Sequence, residues 1–155
     1  MHFMSAPFAS RQLAPRGENW VSQGPGFVGV GAPKSGTSWW YNLLLQHPRV
    51  VQNRLGAKEL AYFYHFGFNG PSREQAETYR RAFDCPRQTM SGEWSPSYLF
   101  FPCALEFLAD TVPEARVLII LRNPIDRLFS HVNQFHQTHV RRFEEEIPRR
   151  IVARY

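Results

Sequence analysis

Phe27-Val28-Gly29-Val30-Gly31-Ala32-Pro33-Lys34-Ser35-Gly36-Thr37-Ser38-Trp39 is the stretch that decides the fold. Gly24-Pro25-Gly26 breaks the chain before it, and the apolar run Phe27 to Val30 then has the character of a fully buried parallel strand. Gly31 to Gly36 reads as a loop. From Thr37, the residues Trp39, Trp40, Leu43 and Leu44 recur at helical spacing until His47-Pro48 stops the helix. Such a strand, loop and helix make an anion cradle. The glycines let backbone N–H groups come close to a ligand, and the helix start adds unpaired N–H groups and a positive dipole end. Thr37 and Ser38 add hydroxyl donors, and Lys34 adds a positive charge. The bland alternative, a plain tight turn, is disfavoured by the flanking strand and helix.

The glycine spacing matches GxxxxGK[ST], yet Thr37 stands where the lysine belongs and Lys34 lies inside the loop. The apolar segment Arg116 to Leu121 reads as the clearest buried strand, and it runs into Arg122 rather than an acid. Both features weaken an ATPase, GTPase or kinase reading, which stays as an alternative. Asn123 can cap the next helix with Pro124 at its first position, and Ile125, Leu128, Phe129 and Val132 are expected to form its buried face. Ser130, eight residues after Arg122, falls near the face that carries Asn123 and Asp126. A guanidinium with a hydroxyl suits a second, isolated phosphate. The alternative for Arg122 is an ion pair with Asp126 or Glu93.

Between these motifs the pattern predicts a short strand at Val50-Val51 and a loop with Lys58-Glu59. The aromatic run Tyr62 to Phe68 reads mainly as core. A surface helix is expected from Pro71 to Phe83, a strand from Thr89 to Trp94 and a helix from Pro102 to Ala109. Alternating strands and helices imply a parallel sheet covered on both faces, with ligands at the carboxyl ends of its strands. The expected fold is therefore α/β, a P-loop-like three-layer arrangement around a central parallel sheet.

The whole chain is consistent with that scale. Its 155 residues suit one domain, here 26–155 after a loose lead-in at 1–25, and 43% hydrophobic residues argue against disorder. A net charge of +5 favours anionic partners such as nucleotides, sulfated sugars or nucleic acid without choosing among them. Part of the excess is a terminal cluster, Arg141, Arg142, Arg149, Arg150 and Arg154, for which a solvated helix face is as good a reading as a binding patch. Cys85 and Cys103 lack metal-ligand spacing and read as free thiols. No apolar run reaches a membrane span and no secretory signal opens the chain, so the expectation is a soluble, cytoplasmic protein.

The run Phe27 to Trp39, together with Leu121-Arg122-Asn123-Pro124-Ile125-Asp126-Arg127-Leu128-Phe129-Ser130, resembles the two signature motifs of the sulfotransferases. The similarity extends from Phe27 to Phe143. Lys58-Glu59-Leu60-Ala61-Tyr62-Phe63 and Gly92-Glu93-Trp94-Ser95-Pro96-Ser97-Tyr98 look like the bacterial and heparan-sulfate-type branch. The resemblance implies transfer of a sulfuryl group from 3′-phosphoadenosine-5′-phosphosulfate (PAPS) to a hydroxyl acceptor: glycan, lipid or small metabolite. Lys34, Ser35, Gly36, Thr37 and Ser38 would hold the 5′-phosphosulfate, and Arg122 with Ser130 the 3′-phosphate. Neither a metal nor a nucleic-acid partner is implied.

By the same resemblance Glu59 is the base, its pKa expected to be raised by Leu60, Tyr62 and Phe63. Its alternative is a loop salt bridge with Lys58 or an arginine. His65 ranks below it, as the histidine base of the cytosolic branch. Trp94 departs from the family, since the heparan-sulfate type tends to have a lysine there. Relatives continue beyond the charged segment Phe143 to Pro148 through a Gly- and basic-rich stretch that completes the nucleotide site. The expectation is therefore a portion of a sulfotransferase domain, incomplete at the C-terminus, with a partner chain if the gene is split. A non-catalytic, sulfotransferase-like module is the remaining alternative.

Overall fold

The computed structural model describes residues 12–137. The terminal arginine cluster and the charged segment Phe143 to Pro148 lie outside the described residues, as do the first eleven residues of the lead-in.

Four strands form one parallel sheet: β2 (Phe27–Gly31), β3 (Val50–Val51), β5 (Met90–Trp94) and β6 (Arg116–Ile119), in the order β3-β5-β2-β6. The opening motif lies in the middle of it, and every residue of β2 is buried. Helix α1 (Thr37–Leu44) lies over one face, where Tyr41 packs with Phe27 and Trp94. On the other face Val28 and Val30 join Phe63, Tyr79, Tyr98 and Leu108, supplied by a 3-10 turn at Tyr62–Phe66, helix α2 (Arg73–Arg81), a second 3-10 turn at Pro96–Phe100 and helix α3 (Pro102–Thr111). The aromatic run is thus mostly core, except Phe68, which is exposed.

Close packing explains one glycine directly. A Cβ on Gly29 would lie 2.1 Å from the Trp94 ring, so the indole rests on the backbone of β2. Trp94 is accordingly a core residue, 1% exposed.

Three sequence expectations are corrected. The surface helix starts from Ser72, not from a proline in its first turn. The Ser72 hydroxyl accepts from Gln75 N–H while the Gln75 side chain accepts from Ser72 N–H, a capping box that satisfies two N-terminal donors. The lead-in is less loose than read. Strand β1 (Trp20–Val21) pairs antiparallel with β4 (Cys85–Pro86), and Arg54 bonds to the Ala14 carbonyl at 2.8 Å.

The largest correction concerns β6 and helix α4 (Pro124–Phe135). Val117 and Ile119 are 55% and 51% exposed, and α4 has no buried residue, with Phe129 70% exposed. The apolar sequence has a buried-strand pattern, but β6 has only β2 beside it, and nothing among the described residues covers its outer side or the apolar face of α4. Cys85 and Cys103 are both free thiols.

Candidate active site

The loop after β2 is shaped by two left-handed residues. Gly36, the N-cap of α1, has φ 83°, a conformation that glycine adopts without steric cost. Lys34 has φ 64°, uncommon for a residue with a Cβ, and such strain concentrates at functional loops. Gly36, Thr37 and Ser38 open the helix, and among the described residues their N–H groups donate none of the backbone bonds of the surrounding loops and turns.

These residues line a cavity of about 430 Å³ together with Pro33, Lys58, Glu59, Pro96, Ser97, Ser130 and Gln134. Lys34 and Arg122 are also on its wall. Arg122 Nη1 donates to the Lys34 carbonyl at 3.4 Å, so the two motifs meet directly. Arg122 forms no ion pair with Asp126 or Glu93 among the described residues. The Asn123 side chain accepts from Ile125 N–H at 2.9 Å, which caps α4 as its sequence predicts, and Ser130 further along α4 lines the shared cavity.

Of the residues read as site candidates, Lys34, Gly36, Thr37, Ser38, Glu59, Arg122 and Ser130 are brought together. Ser35 is not on the cavity wall. Its Oγ is buried without a partner, and its N–H bonds to the Ala32 carbonyl. His65 sits on the Tyr62–Phe66 turn and does not line the cavity.

Glu59 occupies the cavity mouth in an unexpected setting. Leu60, Tyr62 and Phe63, expected to desolvate it, turn into the core, while the Glu59 side chain is half exposed and pairs with Lys58 at 2.7 Å. Alternation along the loop sends Leu60 inward and leaves Glu59 outside. The salt bridge weighed as the alternative for Glu59 is therefore present.

The loop itself is clamped to the end of β5. Trp94 N–H donates to the Lys58 carbonyl at 2.8 Å. Three consecutive amides after Glu59 are each caught by a side chain: Leu60 N–H by Glu93, Ala61 N–H by Ser95 Oγ and Tyr62 N–H by Tyr98 Oη. Glu93 is fully buried and also accepts from Ser95, Tyr79 and Tyr98 hydroxyls. Burial raises its pKa, outweighing these hydrogen bonds, which lower it. Burial and the neighbouring Glu93 push the Tyr79 and Tyr98 hydroxyls well up, so they remain donors.

Two features of this site are not legible from sequence spacing. Spacing gives Lys58 as a salt-bridge partner of Glu59 and does not show how near its loop passes to α1. The clamp at Glu93, Ser95 and Tyr98 joins segments more than thirty residues apart. Its only local signal is a carboxylate and two hydroxyls at the end of a strand.

A P-loop-like turn between a buried parallel strand and a helix, meeting an arginine from the neighbouring strand end, defines the class as an α/β protein with a central parallel sheet. Comparison with known proteins narrows it. No protein-family model matches the chain. It is 30% identical over 116 residues to the membrane-associated sulfotransferase kil1 of Dictyostelium discoideum, covering 72% of this chain and 22% of that protein. It is 31% identical over 109 residues to the mouse (Mus musculus) bifunctional heparan sulfate N-deacetylase/N-sulfotransferase 4, covering 68% of this chain and 12% of that one. The crystal structure of a sulfotransferase from Alicyclobacillus acidocaldarius superposes with a TM-score of 0.57 at 35% identity, over 73% of this chain and 50% of its own. These similarities support a sulfotransferase family for the matched part of the chain. The chain spans about a fifth or less of the curated relatives it matches and half of the bacterial structure. No helix of the described residues is long and apolar enough to cross a membrane.

Proposed function

We propose that residues 26–155 carry the donor-binding part of a sulfotransferase that uses PAPS. The observation that carries this reading is the single cavity holding Lys34, Thr37, Ser38, Arg122 and Ser130, two cationic ends for a nucleotide with two separated anionic groups. Lys34 with the N–H groups and hydroxyls at the start of α1 would hold the 5′-phosphosulfate. Arg122 and Ser130 would hold the 3′-phosphate.

The chemistry is an in-line displacement. An acceptor hydroxyl oxygen bonds to sulfur as the bond from sulfur to the 5′-phosphate oxygen breaks. The bonding pair leaves with that oxygen, where Lys34 and the loop N–H groups match the growing charge. Glu59 takes the acceptor proton through Oε2, its Oε1 being held by Lys58. The acceptor class is a hydroxyl-bearing glycan, lipid or small metabolite.

The kinase or NTPase alternative needs an acid free to hold a metal beside the loop. The carboxylate at the end of β5, Glu93, is fully buried, has both oxygens occupied by four donors and does not line the cavity, and the acid that does, Glu59, is paired with Lys58. Calorimetric titration with adenosine 3′,5′-bisphosphate tests the donor reading. Lys34→Ala and Arg122→Ala should each weaken binding by about tenfold or more, the value of a charge-assisted contact. Unchanged affinity in both variants would reject it.

A further inference from the structure

Lys58 has no role in the donor site as described so far, yet its geometry is specific. Its ammonium lies 2.9 Å from Ser38 Oγ, 3.3 Å from Thr37 Oγ1 and 2.7 Å from Glu59 Oε1. An ammonium has three N–H donors and no acceptor, and here three acceptors take them. The side chain is 18% exposed, unusual for lysine, and its backbone carbonyl is fixed to the end of β5 by Trp94 N–H.

A hydroxyl has one proton to give and two lone pairs. When Lys58 donates to the oxygens of Thr37 and Ser38, their protons must point elsewhere. Both hydroxyls stand in the first turn of α1 and on the cavity wall, so the open direction for those protons is the anion side of the loop. Lys58 also brings a second positive charge beside Lys34.

We propose that Lys58 is a positioning residue of the donor site: it orients the Thr37 and Ser38 hydroxyls as donors to the 5′-anion and ties Glu59 to the same cradle. This rests on the donor reading above. Because Lys58 acts at the α1 end of the cavity, its contribution belongs to the 5′ group and not to the 3′-phosphate.

The test is titration of the full chain with two probes, adenosine 3′,5′-bisphosphate and adenosine 3′-monophosphate. Lys58→Met should weaken the bisphosphate about tenfold, as expected for one lost charge-assisted contact, and leave the 3′-monophosphate unchanged. In a Thr37→Val/Ser38→Ala background the same substitution should cost less than half of that factor, because Lys58 acts through those hydroxyls. Equal weakening of both probes indicates a structural role and overturns the inference. So does an unchanged bisphosphate affinity, or full additivity in the double background. If the wild-type chain binds neither probe, the donor reading itself falls and takes this inference with it.

Discussion

Lys34 joins backbone strain to charge in the loop after β2. It holds a left-handed backbone angle in a loop whose neighbours on the cavity wall are hydroxyls, amides and Arg122. Gly29 makes the complementary point about packing. Gly29→Ala would drive a methyl into Trp94, and overpacking of this kind costs about 1–3 kcal/mol, readable as a lower midpoint in urea unfolding. A midpoint equal to wild type would mean that Trp94 can move aside. Glu93 gives a prediction in pH. Its folded pKa is raised above the ordinary 4.5, so its contribution to stability is full below that value and is lost as pH rises through the folded pKa. Glu93→Gln removes that titration. Relative to the variant, wild type should therefore lose stability as pH rises from about 4.5, seen by denaturation at several pH values; parallel profiles would contradict it.

Elements differ in how far they could be read from sequence. The strand, loop and helix at Phe27 to Leu44 and the Asn123-Pro124 start of α4 were legible because local rules decide them: buried strand, glycine turn, cap, proline. The capping box at Ser72 was equally local, and Ser72→Ala should lower stability by about 1 kcal/mol in chemical denaturation. An unchanged stability would assign the helix to packing of Tyr79 alone. Burial of β6 and α4 was misread for a different reason. Periodicity reports which face is apolar, and only the neighbouring elements decide whether that face is covered. The clamp on the Lys58–Tyr62 loop was illegible because three side chains of one segment meet three amides of another, a register that sequence spacing does not encode. Of the candidate site, the residues carried by the two motifs converged, while Ser35 dropped below the loop and Lys58 entered from outside it.

At the scale of the whole molecule, two properties follow from the layout. Val117, Ile119, Ile125, Leu128, Phe129, Val132 and Phe135 present apolar surface on β6 and α4. Exposed apolar patches favour association, so the isolated chain should bind a hydrophobic dye, and Leu128→Ser/Phe129→Ser should reduce that signal. No dye binding by wild type would show that the face is covered in solution. The cavity beside the α1 loop, by contrast, has Lys34, Lys58 and Arg122 around it, and a site of that charge distinguishes anions by where their charges lie.

That distinction gives the most direct measurement of the central claim. The wild-type chain is titrated calorimetrically with adenosine 3′,5′-bisphosphate and, separately, with adenosine 5′-diphosphate in the presence of Mg²⁺. A site in which the α1 loop and Arg122 each hold one anionic group predicts tighter binding of the 3′,5′-bisphosphate by about tenfold or more, the worth of one charge-assisted contact. Equal affinity, or preference for the 5′-diphosphate with Mg²⁺, would contradict a PAPS site and return the loop to the nucleoside-triphosphate class.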